Sequence, residues 1–247
     1  MTKIQSGSGK TGPEKKGKVY GIGLGPGDPE LMTLKAARLI READVIAYPA
    51  LAGGTSFARA IATNFITPHT REIVMDVPMT VARGPAQAAY DKGAIEISET
   101  LNAGQNVVVL CEGDPFFYGS FMYLFARLNA TFDVEVVPGV TSVTACAAVA
   151  GLPLVARNEV MTVLPAPLED AALAEKLASS DTLVLMKLGR HFPRVRALIE
   201  AARLTENSVY IERATGADEV VKPLKDAPNV APYFSMILIV KGADPWL

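Results

Sequence analysis

Apolar residues recur along this chain in two rhythms. Short runs such as Val19, Ile22 and Leu24, or the unbroken VVVLC at 107–111, read as buried strands, whereas Met32, Ala36, Leu39, Ile40 and Ala43 fall at helical spacing. Between Lys18 and about Leu152 the two rhythms alternate. Strands are predicted at 19–24, 44–48, 72–75, 106–111 and 133–137, with helices over 30–43, 55–64, 85–103, 119–128 and 141–150. That alternation predicts a mainly parallel sheet with helices on its faces. GLPLVARNE at 151–159 reads as a linker, because Pro153 discourages continuation of the helix before it. Beyond it, EVMTVLPA, DTLVLMKL, NSVYIER and YFSMILIVK look like strands, with helices over 169–178 and 192–202. The expected organisation is a disordered tail over 1–17, an N-terminal α/β domain over 18–152 and a smaller C-terminal α/β domain over 153–247.

Composition narrows the function classes. The 247 residues are 49 % hydrophobic and 20 % charged with a formal net charge of −2, an ordinary soluble balance without the basic stripe of a nucleic-acid binder. FSMILIV, the longest apolar run near the end, is too short to span a bilayer, and no signal-type segment precedes the first strand, so a cytoplasmic location is expected. Cys111 and Cys146 sit singly in apolar runs and read as buried thiols. With His69 and His191 the only histidines, no zinc spacing can be assembled, and no metal is expected. GSGKT at 7–11 imitates the end of a phosphate-binding loop, but Ile4 stands where that motif needs glycine and no strand precedes it.

The chemistry is expected in loops after strands, because ligands of open α/β sheets collect outside the carboxyl ends. The first such loop, in VYGIGLGPGDPELMTLKAARLI at 19–40, is strand, turn and helix, with Asp28 as N-cap and Pro29 at the helix start. It is not a dinucleotide fingerprint. G-x-G-x-x-G fails in both frames, at Pro26 and at Asp28, and a proline removes an amide donor. A rigid Gly-Pro-Gly-Asp loop suits close approach of a ligand or a neighbouring backbone. Four more strand ends stand out: Glu112-Gly113-Asp114-Pro115, Pro138-Gly139 with Thr141 and Ser142, Met186-Lys187, and Arg213-Ala214-Thr215. Each alone is ordinary turn or cap chemistry; together they suggest a small-molecule cleft. No G-x-S-x-G elbow is present and neither cysteine has a histidine partner in its motif, which discounts acyl-enzyme chemistry.

GIGLGPGDPELMTLKA, LCEGDPFFYGS, VVPGVTSVTA and GLPL, in that order, resemble the tetrapyrrole methylase family, whose members transfer methyl groups from S-adenosylmethionine to cobalamin and sirohaem precursors. GDPFFYGSFMYL, MKLGRHFPRVR, YIERAT and PYFSMILIV most resemble the branch that methylates the C20 bridging carbon of a corrin precursor. The resemblance covers residues 18–242 and implies two α/β domains with the cofactor cleft between them, and a homodimer. It implies cofactor contacts from Pro26, Glu112, Gly113, Asp114, Phe117, Thr141, Ser142, Met186, Ala214, Ser235 and Met236. A tetrapyrrole's carboxylates would meet cations, for which Arg83, Lys187, Arg190 and Arg213 are the candidates. The segment 78–87 is a candidate flap. Sirohaem-pathway relatives carry an aspartate after the second strand, in a Tyr-Asp pair; here the pair is Tyr48-Pro49, so no catalytic base carries over, and Asp114 is the remaining candidate.

Overall fold

The structure is a computed structural model that describes residues 16–51, 54–78 and 83–242, without the side chain of Arg83. The predicted tail up to residue 15, the GSGKT segment within it and residues 79–82 of the predicted flap lie outside the described residues. The chain divides into two compact units. One runs to Leu24 and resumes over Thr33–Gly139; the other comprises Gly25–Met32 and the described chain from Val140 onward.

The first unit is built on β1 (Val19–Gly23), β2 (Val45–Ala50), β3 (Arg71–Asp76), β4 (Val107–Cys111) and β5 (Val134–Val137). They form a sheet of order β3-β2-β4-β1-β5, in which every pairing is parallel. All five residues of β4 are buried, as a central strand covered on both faces requires, and this is why VVVLC shows no alternation. Helices α1 (Leu34–Arg41), α2 (Phe57–Ala62), α3 (Arg83–Asn102) and α4 (Phe121–Leu128) are the crossovers. α3 and α4 cover one face, where Ile97, Leu101, Phe121, Leu124 and Leu128 pack on Val45, Ala47, Val107 and Val109. Gly21 makes room for this packing. A Cβ there would stand 2.3 Å from the Phe121 ring, which is 1 % exposed.

The predicted helix over 30–43 is two elements. Asp28 does cap, its side chain accepting from the Glu30 amide at 2.8 Å, but the turn it starts is a single 3-10 turn over Pro29–Leu31. Met32 is extended, and Thr33 then caps α1 by accepting from the Ala36 amide at 3.1 Å. A threonine hydroxyl competing for helix-starting amides is a strong local signal, and it outweighs the unbroken apolar period.

The second unit carries β6 (Met161–Pro165), β7 (Thr182–Met186), β8 (Ser208–Glu212), β9 (Val220–Pro223) and β10 (Ser235–Val240). Their order is β6-β7-β10-β8-β9, with β6 parallel to β7 and the other pairs antiparallel. β9 lies outside the predicted strands. It is a short, mostly exposed edge strand ending in proline, and so lacks an apolar signature. Helices α6 (Asp170–Ser179) and α7 (Phe192–Ala201) bury Leu173, Leu177, Phe192, Val195 and Ile199 against Leu183, Leu185 and Ile237. Helix α5 (Ser142–Ala150), expected in the N-terminal domain, packs here instead: Val143 and Cys146 join Val184, Ile211, Met236 and Leu238 in one buried cluster. The division at Gly139 therefore precedes the expected boundary at 152. The apolar face of α5 needs a sheet to cover it, and the second sheet supplies one.

Candidate cofactor and substrate site

In the first unit the connections leaving β1 and β4 run in opposite directions, since β1 leads to β2 and β4 leads to β5 past β1. Such a reversal opens a crevice at the carboxyl ends, and the glycine-rich loops lie there. Gly23, Gly113 and Gly139 meet there backbone to backbone. A Cβ on Gly139 would stand 2.1 Å from the Gly113 carbonyl oxygen and 2.8 Å from the Gly23 Cα. Gly113 itself has φ +62 and would carry a Cβ into open space. The site is thus a close-packed backbone floor with one open position, a surface that a ligand can approach closely.

Asp114 ties this floor together. Its Oδ1 accepts from the Phe116 and Phe117 amides at 2.9 and 3.1 Å, and its Oδ2 accepts from the Gly139 amide at 3.0 Å. The carboxylate therefore joins the loop after β4 to the loop after β5. Glu112, one residue past β4, behaves differently: burial pushes its carboxyl above the usual range, with the Ala58 backbone amide pulling weakly the other way. Beyond Asp114, Phe116, Phe117 and Tyr118 form an exposed aromatic ridge, and Tyr118 holds φ 56.

Tyr48 and Pro49 lie within β2, where pairing to β4 ends at Ala47, so the missing proline amide costs no ladder bond. The Tyr48 hydroxyl donates to Glu72, which Arg59 also holds, at 3.0 Å. Burial, then the Glu72 contact, pushes the Tyr48 phenol up to about 12. A phenol in that state is not a base at neutral pH.

The second unit brings together several residues named from the sequence. Met236 on β10 lies directly across from Met186 on β7 on one side and Ile211 on β8 on the other. Buried Met236 and Ala214 and part-buried Met186 belong to the same cluster beneath α5. Ser235 is buried, and its hydroxyl donates to the Pro232 carbonyl at 2.6 Å. Thr141 is the α5 N-cap and accepts from the Thr144 amide at 3.4 Å, with Ser142 the first helical residue. Two cations follow strand ends in the left-handed region, Lys187 at φ 59 and Arg213 at φ 44. Arg213 lies 3.8 Å from Glu212, and Arg190 is exposed with its Nε 3.4 Å from His191. Of Arg83 the structure gives only its place, at the start of α3.

Pro26 also belongs to this unit. The loop Gly25–Met32 follows β1 in sequence yet packs among residues of the second unit, the Asp28 amide donating to the Thr215 hydroxyl at 3.1 Å. Sequence spacing gave no hint of this attachment, since the two residues stand 187 positions apart.

Residues 18–228 match the family model of the Tetrapyrrole (Corrin/Porphyrin) Methylases. The chain belongs to this family. A Sinorhizobium protein named Precorrin-2 C(20)-methyltransferase is 39 % identical over 92 % of this chain and 97 % of its own length. The Mycobacterium tuberculosis Cobalamin biosynthesis protein CobIJ is 42 % identical over 92 % of this chain, which spans only 46 % of that longer protein. Among solved structures, a Thermus thermophilus uroporphyrin-III C-methyl transferase complexed with S-adenosylhomocysteine matches with TM-score 0.65 and 26 % identity, over 90 % of this chain and 97 % of the other. Membership of the tetrapyrrole methylases accounts for the two-sheet α/β plan and for the glycine-rich strand ends. Among the described residues no helix is long and apolar enough to cross a membrane.

Proposed function

We propose that this tetrapyrrole methylase transfers the methyl group of S-adenosylmethionine to C20 of precorrin-2 in cobalamin biosynthesis, giving precorrin-3A. The observation that carries the reading is the near end-to-end match, at 39 % identity, to the Sinorhizobium precorrin-2 C(20)-methyltransferase. When bound, S-adenosylmethionine supplies an electrophilic sulfonium methyl that C20, electron rich like an enamine carbon, displaces in line; S-adenosylhomocysteine leaves and the C20 proton is lost.

The chain's share is binding, alignment and exclusion of water, worth about 7–11 kcal/mol at the limit. The close-packed glycine floor, open at Gly113, fits a cofactor met by backbone. Pro26, Glu112, Gly113, Asp114, Phe117, Thr141, Ser142, Met186, Ala214, Ser235 and Met236 are its proposed contacts, and the pairing of Met186 with Met236 beside Ala214 supports an apolar seat for adenine. Arg83, Lys187, Arg190 and Arg213 are proposed to meet the substrate carboxylates. On the family resemblance, the enzyme is proposed to act as a cytoplasmic homodimer.

Glu112 gives this reading a pH signature. Its raised pKa means that the carboxyl takes up a proton at a pH where an ordinary glutamate is still ionised. Attraction to the cationic sulfonium is therefore full above that pKa and lost as pH falls through it. Cofactor affinity, measured by calorimetric titration across pH, is expected to fall on acidification in the wild type and to stay flat in Glu112→Gln. Equal pH slopes in the two proteins would remove Glu112 from the site.

The direct test of the activity is single-turnover incubation with methyl-labelled S-adenosylmethionine, offering precorrin-2 and cobalt-sirohydrochlorin in parallel without oxygen. Label at C20 of precorrin-2 is expected. Transfer only to the cobalt compound would assign the cobalt-dependent route. No transfer to either, with cofactor bound, would overturn the C20 reading.

A further inference from the structure

We propose that Thr215 is a positioning residue whose hydroxyl holds the Gly-Pro-Gly-Asp loop in its binding shape; the inference rests on the S-adenosylmethionine reading above. The loop Gly25–Met32 has few internal ties: Gly25 is left-handed at φ +81, and backbone bonds close only the turn from Asp28 to Met32. The long-range hydrogen bond of this stretch is that from the Asp28 amide to the Thr215 Oγ1, at 3.1 Å. Gly27 lies against the same hydroxyl. A Cβ there would be 3.3 Å from Oγ1 and 3.5 Å from the Ala214 carbonyl oxygen, so the two loops touch along their backbones.

Thr215 is held in turn. Its own amide donates to the Glu219 carboxylate at 2.6 Å, and the Gly216 amide closes a turn onto the Arg213 carbonyl at 2.8 Å. The residue has φ 67, a costly conformation for a β-branched side chain and one that glycine would adopt freely. A threonine standing where the backbone favours glycine carries a conformational cost that the contacts of its side chain must offset. The contact at hand is the hydroxyl's bond to Asp28. It fixes Gly27 beside Ala214, and with it the position of the adjoining Pro26, so that one wall of the proposed cofactor seat exists before the cofactor arrives. Binding then need not order the loop.

Three variants separate the hydroxyl from the backbone. Thr215→Gly relieves the left-handed strain and removes the hydroxyl, Thr215→Val keeps the shape without the donor's partner, and Thr215→Ser keeps the hydroxyl. Two readouts are taken on the full chain: hydrogen exchange at the Asp28 amide without ligand, and calorimetric titration with S-adenosylhomocysteine. Glycine and valine variants are expected to exchange Asp28 severalfold faster and to bind about five- to tenfold more weakly, with serine restoring both, as the loss of one hydrogen bond predicts. Turnover at saturating cofactor should change far less than the KM for it. Wild-type exchange and affinity in Thr215→Gly would overturn the proposal. Failure of the wild type to bind S-adenosylhomocysteine would instead sink the functional reading, while Asp28 exchange would still report whether Thr215 holds the loop.

Discussion

Gly139→Ala is expected to cost the protein both stability and its cofactor. The added Cβ would lie 2.1 Å from the Gly113 carbonyl oxygen and 2.8 Å from the Gly23 Cα, all backbone atoms. No rotamer relieves such a clash, so β1, β4 and β5 must separate at their carboxyl ends. Overpacking of this kind costs about 1–3 kcal/mol or more, and here the displaced atoms form the proposed binding floor. Calorimetry should show a melting midpoint lowered by several degrees, and titration should show S-adenosylhomocysteine affinity reduced at least tenfold. Gly113→Ala is the informative contrast. Its Cβ meets nothing within 4 Å, so only the left-handed backbone is penalised while the open position is filled. It should lose more affinity than stability. A Gly139→Ala protein with wild-type melting and affinity would show that the three glycines are loosely packed and that the floor is not a fixed surface.

How far this arrangement was legible in the sequence depends on the range of the forces involved. The parallel sheet of the first unit follows from buried runs such as VVVLC alternating with helical periods, because burial on both faces leaves its mark residue by residue. The loops carrying the glycine floor were legible as strand ends rich in Gly, Pro and Asp. What could not be read was contact between loops distant in sequence. Asp114 looked like turn chemistry, and its Oδ1 does cap its own turn, but Oδ2 reaches the Gly139 amide, 25 residues on. Likewise Pro29 and Asp28 marked a helix start, yet Thr33 restarts the helix, and the loop between belongs with Thr215. The α5 segment was legible as a helix but not as part of the second unit, because its apolar face is equally suited to either sheet until a fold exists. β9 had no apolar pattern to betray it.

Asp114 is expected to matter through its hydrogen bonds rather than as the group that takes the C20 proton. Both oxygens are already engaged, Oδ1 with the Phe116 and Phe117 amides and Oδ2 with the Gly139 amide. The carboxylate is thus committed to holding the loops after β4 and β5 together, with three backbone N–H groups already on its two oxygens. Asp114→Ala leaves these amides without partners and is expected to destabilise the protein by about 2–4 kcal/mol, partial solvent access keeping the cost below the full value of three charged bonds. Asp114→Asn separates the two roles. Its carbonyl can keep the Phe116 and Phe117 bonds, but its amide group turns a donor toward the Gly139 donor, and that contact becomes repulsive. Melting midpoint, S-adenosylhomocysteine affinity and turnover should therefore fall together in Asp114→Asn. A variant that melted and bound like the wild type yet transferred no methyl would reverse the assignment and make Asp114 the proton acceptor. The distinction reaches Glu112 as well, since it is the neighbouring carboxyl whose pKa burial raises, the direction that favours accepting a proton. Stable binding with lost turnover in Glu112→Gln, beside a coupled loss in Asp114→Asn, would place proton removal two residues earlier on the same strand end.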